Sequence, residues 1–261
     1  MNNIHPTAII EDGAVLGDNI TIGAFTIIGA NVSIGDGTVV KSHTLIEGDT
    51  TIGKNNRIFS HAVIGSIPQD LKYAGEDVQI VIGDNNTIRE HTLINPGTKG
   101  GGSITKIGNG CLLMGHVHIG HDCILQDNIV IANSCAIAGH VEIDSNAVIG
   151  GMSAIHQFCH IGENAMIGGG SILVQDMPPF CICEGNRATL RALNINGLRR
   201  RFSKQREVID QIKKAYKILF DSSVPLQDSA KELLENSDNI YVKSMAEFVT
   251  KTKRGIPLAR K

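Results

Sequence analysis

Branched aliphatic residues recur at every sixth position through most of the chain. The beat runs from Ile4 to Ile64, returns at Ile82, Ile88 and Ile94, and resumes from Ile107 to Leu173, giving twenty-six hexads that each open on Ile, Leu or Val. The fifth residue of a hexad is small or β-branched, as at Ala8, Thr26, Val32, Thr44, Ala62, Val117, Ala147 and Ser171. A period of six is neither the 3.6-residue repeat of a helix nor the plain alternation of an ordinary strand. It predicts one short strand and one turn per hexad, with the first and fifth side chains facing an interior that admits one large and one small group. Three hexads close a triangular coil, so residues eighteen apart lie one above the other. The repeat makes about eight to nine coils and a prism roughly 40 Å tall at the usual strand spacing. No coil buries its aliphatic edge alone, so stability comes from stacking.

The beat fails twice, and both stretches are expected to leave the prism as loops, at 66–81 and 95–106. Loops on a rigid scaffold are where binding residues concentrate. The mainly β prism is assigned to 1–185, and 186–261 to a C-terminal helical domain. There the apolar residues Val208, Ile212, Ala215, Tyr216 and Leu219 take up helical spacing, with Ser203 as the expected N-cap. A second helix is expected near Pro225 and a third around Tyr241, Met245 and Phe248.

Composition narrows the function. The 29 glycines are assigned to turns that need positive φ. A formal net charge of −2 gives no reason to expect nucleic acid. No apolar run is long enough to span a bilayer, and the first residues carry no signal-peptide pattern. Of 6 cysteines, Cys111, Cys123, Cys135 and Cys159 fall on fifth positions and read as small core residues in a reduced, cytoplasmic protein. Arg199, Arg200 and Arg201 form a local basic cluster, a solvated helix entrance or a seat for an acidic partner or a phosphate.

Candidate chemistry gathers between His116 and His140. Eighteen-residue stacking puts His121, Gly139 and Gln157 in one column at a corner, and Asp122, His140 and Phe158 in the next, all facing outward, with His118 in the turn before. A neutral imidazole can take a proton from a hydroxyl near pH 7. A neighbouring carboxylate can orient it, and a glycine N–H can approach an oxyanion. With no Ser or Cys nucleophile beside the histidine, this set suits acyl transfer by direct attack of an acceptor hydroxyl. A rival is a zinc-dependent hydratase on the same prism, with His116, His121 and His140 as ligands in the manner of γ-class carbonic anhydrases.

Several stretches together are specific. They are Ile4-His5-Pro6-Thr7-Ala8, Gln69-Asp70-Leu71-Lys72-Tyr73-Ala74-Gly75-Glu76, His118-Ile119-Gly120-His121-Asp122-Cys123, Ala138-Gly139-His140-Val141, His156-Gln157-Phe158 and Asn194-Ile195. Over nearly its whole length the chain resembles the UDP-N-acetylglucosamine acyltransferases of lipid A synthesis. That resemblance implies a left-handed parallel β-helix, a homotrimer with sites between neighbouring prisms, and no cofactor or metal. The implied reaction moves an (R)-3-hydroxyacyl chain from acyl carrier protein to the glucosamine 3-position of UDP-N-acetylglucosamine. It further implies His121 as general base, Asp122 as its orienting partner and Gly139 N–H at the oxyanion. Asp70, Lys72, His118, His140, Gln157, Asn194 and Arg200 are the implied binding residues, and Gly169 the position that sets acyl length, here for a long chain. Asn196 stands where the family often has Glu.

Overall fold

The computed structural model describes residues 1–258. Each hexad opening is the last residue of a strand of two to four residues, from Asn3–Ile4 to Ile172–Leu173. The strands stack into three sheets of eleven, nine and eight, parallel throughout the prism. We call them first, second and third in the order the chain enters them, at Asn3, Ile9 and Val15. The chain winds as a left-handed parallel β-helix.

Register shows what the repeat achieves. Ile4, Ile22, Val40, Ile58, Ile88 and Leu113 pair in succession up the first sheet. The stack therefore passes both excursions without losing its phase. Ile22, Ile28, Ile46, Ile58, Ile64, Ile88 and Ile94 are completely or almost completely buried. A fully buried Ile contributes about 1.5–3 kcal/mol of transfer free energy, but only once the coils on either side are present. The first coil has a neighbour on one side alone; there the inward Ile4 stays exposed, and Ile10 and Leu16 are only partly buried.

The fifth positions have a second role beyond being small. Thr26 Oγ1 donates to Lys41 O at 2.8 Å, Thr38 Oγ1 to Gly53 O at 3.0 Å, and Ser153 Oγ to Gly168 O at 3.1 Å. Cys123 and Cys135 place Sγ 3.1 Å from Ala138 O and Gly150 O in the same way. Thr, Ser and Cys are thus equivalent here, each satisfying a carbonyl of the next coil. All six cysteines are free and buried. Burial pushes the Cys123 thiol up to about 12 and that of Cys111 to about 11, so they remain inert thiols.

The glycines act differently from expectation. The left-handed corner position is filled mostly by other residues, among them Asn19, His61, Asp122 and His140 at φ 56, 64, 58 and 60°. Most repeat glycines instead sit where coils approach most closely. A Cβ on Gly23 would lie 2.5 Å from Ser42 N, and one on Gly120 would lie 2.8 Å from Gly139 N. Close approach, not positive φ, is what excludes side chains there.

The chain rejoins the prism before its hexad phase returns. Strands Gln79–Ile82 and Ile104–Ile107 pair along four residues each, so the excursions close by 78 and 103. Beyond Leu173 a strand at Cys181–Glu184 extends the first sheet, and Thr189–Leu193 pairs with it antiparallel. Four helices follow: α1 Ile195–Arg201, α2 Arg206–Leu219, α3 Leu226–Asn236 and α4 Ile240–Lys251. Helix α1 was not anticipated, and Ser203 is not a cap, because α2 starts at Arg206 with no side-chain cap bond. The three arginines form the last turn of α1, where cations suit the exposed carbonyls. Helix α4 returns to the prism, with Phe248 packed against His160 at 4.6 Å between rings.

Candidate functional site

The strand His118–Ile119 of the second sheet leads into the turn that carries the chemistry. His121 and Asp122 occupy it, and the next coil brings Gly139 and His140 directly above. His140 N donates to His121 O at 2.9 Å and Phe158 N to Gly139 O at 3.2 Å, which fixes both expected columns. The His140 ring stacks on Phe158 at 4.4 Å and meets His121 edge-on at 4.9 Å. A Cβ on Gly139 would lie 2.5 Å from His121 Cε1 and 2.6 Å from Nε2. The imidazole therefore lies over the glycine because no side chain is there. Among the described residues, the Gly139 N–H has no hydrogen-bond acceptor.

Asp122 corrects the expectation that these residues all face outward, for its side chain is fully buried. The second excursion folds over it. Thr98 N donates to Oδ1 and Oδ2 at 2.9 and 3.0 Å, Thr98 Oγ1 to Oδ2 at 2.6 Å, and His121 Nδ1 lies 2.8 Å from Oδ2. Gly101 is needed for this closure, since a Cβ there would sit 2.1 Å from Asp122 Cγ. A carboxylate can only accept, so Nδ1 of His121 carries the proton and Nε2 presents its lone pair above Gly139. Neither Thr98 nor Gly101 was found from the sequence. They lie off the eighteen-residue spacing, across a phase break, and no motif marks them.

His118 is on the strand, not in the turn before it, with its side chain on the outer face and half-buried. Its Nδ1 is buried without a partner, and burial, then the nearby His121, lowers its pKa. Burial also lowers that of His140, against the pull of the Asp122 charge. Both neighbours are thus biased to stay neutral, leaving His121 as the imidazole with a carboxylate directly bonded to it. His121, Asp122 and His140 have ligand atoms within 4.8 Å of one another and, among the described residues, are the group that could hold a cation. His116 is not part of it, but stands at the other edge of the second sheet, stacked on His91 at 4.7 Å. The ligand set of the zinc rival is not assembled.

The remaining expected residues are spread more widely. Asp70 and Lys72 share a turn of the first excursion, where Lys72 N donates to Asp70 Oδ1 at 3.0 Å, and both charges are felt at His140. The excursions are tied together by Asn95 Nδ2 donating to Ser66 O at 3.0 Å and by Lys99 N to Glu76 Oε1 at 3.3 Å. Gln157 is exposed above Gly139. Asn194 is buried, its Oδ1 capping α1 through Gly197 N at 2.9 Å and its Nδ2 donating to Asn164 O at 3.0 Å. Arg200 is exposed, while Arg201 pairs with Glu163. Gly169 is exposed on the corner that precedes the second sheet, so one chain does not bring it beside His121.

A cavity of about 710 Å³ opens beside the His121–Asp122 corner, lined by Gly101, Asp122, His140, Phe158, His160 and Phe248. It runs across the outer face of the third sheet to α4. Burial opposes charge on His160, but its Nε2 bond to Asp144 at 3.0 Å, with the charges of Asp144, Glu142 and Asp176, outweighs that and raises its pKa.

Comparison with known proteins places the chain among known sequences and structures. Residues 176–257 match the family model described as UDP-N-acetylglucosamine O-acyltransferase, domain 2. An acyl-[acyl-carrier-protein]–UDP-N-acetylglucosamine O-acyltransferase of Aliarcobacter butzleri is 66% identical over 261 residues, covering 100% of both chains. The protein of the same description from Sulfurovum sp. is 62% identical over the same span. Among solved structures, the UDP-N-acetylglucosamine acyltransferase from Campylobacter jejuni superposes with a TM-score of 0.95 at 47% identity, over 99% of this chain and 100% of that one.

Proposed function

The chain belongs to the UDP-N-acetylglucosamine O-acyltransferase family, and from that membership we propose how its residues divide the work. It moves an acyl group from acyl carrier protein to an oxygen of UDP-N-acetylglucosamine. The proposed acyl group is (R)-3-hydroxyacyl, the proposed acceptor is the glucosamine 3-hydroxyl, and the product enters lipid A synthesis.

In the proposed mechanism, His121 Nε2 takes the proton of the 3-hydroxyl as its oxygen attacks the thioester carbonyl. Asp122 holds the ring and stabilises the imidazolium through Nδ1. The carbonyl oxygen becomes an oxyanion and accepts from Gly139 N–H. Collapse re-forms the carbonyl and expels the phosphopantetheine sulfur, which takes the proton back from His121. The ester and a free thiol leave, so the step balances with the carrier-bound thioester as donor substrate and no further cofactor. The observation that carries this reading is the His121 Nε2 lone pair above an unoccupied Gly139 N–H, with Nδ1 held by a buried carboxylate.

Asp70, Lys72, His118, His140 and Gln157 are the proposed contacts to sugar, phosphate or pantetheine, with Arg200 as an exposed cation for phosphate. Asn194 has both amide groups engaged, so its proposed contribution is to hold α1 and thereby Arg200. Gly169 leaves room for a long acyl chain. The proposed assembly is a homotrimer. The outer face of the second sheet presents Ile9, Ile27, Leu45, Val63, Leu93, His118, Ala136, Ala154 and Ile172, apolar but for His118. A face this apolar suits association. A cytoplasmic setting suits six free thiols, and no described helix is long and apolar enough to cross a membrane.

The test is a transfer assay with UDP-N-acetylglucosamine and a series of 3-hydroxyacyl carrier proteins. Longer donors are expected to be preferred, and His121→Ala to lower kcat by about 10²–10⁴ in a folded protein. Turnover retained by that variant would move the base elsewhere.

A further inference from the structure

Five aromatic side chains climb the corner that precedes the second sheet. Phe25, His43, His61, His91 and His116 stack face to face, with centroids 5.1, 5.1, 5.0 and 4.7 Å apart and ring planes within 24°. All five hold the left-handed corner position, at φ 57, 58, 64, 58 and 61°, and all five are exposed. Among the described residues, none of the four imidazoles has a hydrogen bond or ion pair through its side chain. The chemistry proposed above uses none of them.

The ladder adjoins the apolar face. Two residues beyond each rung the chain reaches an outward residue of the second sheet: Ile27, Leu45, Val63, Leu93 and His118. Ladder and face are one continuous surface. The charged groups beside it are Lys41, two residues before His43, and Glu90, next to His91 and ion-paired to Arg89 at 2.8 Å. The hydroxyls of Ser42 and Ser60, each preceding a rung, bond to one another at 3.2 Å.

We infer that this ladder is a seam between copies of the chain, and that protonating its imidazoles opens the seam. The inference rests on the self-association proposed above. A second copy is the fitting occupant because the rungs repeat at the strand spacing, roughly 4.8 Å. A parallel prism presents the same interval over its whole height, whereas an irregular globular surface does not. In a ring of identical subunits around an axis along the prism, equivalent residues also lie at equal height. His61 of one copy then faces the level of His61 in the next. Neutral imidazoles stack and exclude water in such a seam. Imidazolium ions would face like charge above and below, with one carboxylate, Glu90, beside them and already paired. Imidazole is the side chain whose ordinary charge change falls between pH 5 and 8.

The test is the assembly state of the full chain, by sedimentation velocity, at about pH 7.5 and about pH 5.5. The comparison is a variant with His43→Phe, His61→Phe, His91→Phe and His116→Phe. Phe25 already holds the same corner at φ 57°, so the corner accepts phenylalanine while losing its charge. Wild type is expected to weaken its association about tenfold or more on acidification, and the variant by less than about twofold. The double variant His61→Phe, His91→Phe is expected between them and serves if the fourfold variant does not fold. In wild type alone, high salt is expected to blunt the acid effect by screening. Equal acid responses in wild type and variants, or an acid response indifferent to salt, would overturn the seam while leaving self-association intact. A monomer at both pH values would overturn both.

Discussion

Thr98 Oγ1 donates to Asp122 Oδ2 at 2.6 Å, across 24 residues of chain. This bond joins the second excursion to the turn that carries the proposed base. A buried carboxylate left short of donors is costly, and the excursion supplies three bonds to it from one residue. The loop is thus the lid that keeps Asp122 dry and His121 aimed.

Thr98→Val tests that bond while keeping the shape and the two backbone donations. Stability is expected to fall by about 1–3 kcal/mol, as for a buried acceptor losing a partner, with a loss of kcat and little change in KM for UDP-N-acetylglucosamine. Thr98→Ser should restore both. Thermal melts and steady-state rates on the three proteins decide it, and an unchanged Thr98→Val enzyme would show that the backbone donors suffice.

Gly139→Ala tests the placement of the ring. The added Cβ would sit 2.5 Å from His121 Cε1, so the imidazole must move. A displacement of about 1 Å at a reacting group is enough to cost roughly 10²-fold in rate. The expected result is a drop in kcat of that order with a nearly unchanged melting temperature. Wild-type turnover would mean that the ring has room elsewhere or that Gly139 is not at the reaction.

The His160–Asp144 pair makes stability depend on pH in a known direction. The folded pKa of His160 is raised, with burial opposing and the Asp144 bond prevailing. Its contribution is therefore complete below the unfolded value, about 6.5, and is lost as pH rises through the raised folded value. Asp144→Asn is expected to lower the melting temperature clearly at about pH 5.5 and far less at about pH 9. A difference that grows toward alkaline pH would contradict this.

The prism and the heart of the site were legible because both follow one period. His121, Gly139 and Gln157 stack as expected since no interruption falls between 107 and 173. Interior and exterior followed from the same count at Ile119 and Cys123. What escaped had no period to reveal it. Thr98 reaches Asp122 from an excursion whose path no local pattern encodes, so the burial of Asp122 could not be foreseen. Helix α1 is too short to show apolar recurrence and depends on the Asn194 cap. The glycines misled because a close approach between coils and a left-handed turn call for the same residue.

The prism has two unlike ends. At the start, Met1 N donates to Asn19 Oδ1 at 2.9 Å and Asn2 Nδ2 to Gly17 O at 2.9 Å, a thin strap across a rim of otherwise bare strands. At the finish, an antiparallel pair and four helices close the column. Such a body has no matching plug for its own socket. Setting the start of one copy on the finish of another would bring bare strands against helices, so the fold offers no strand pairing between its unlike ends.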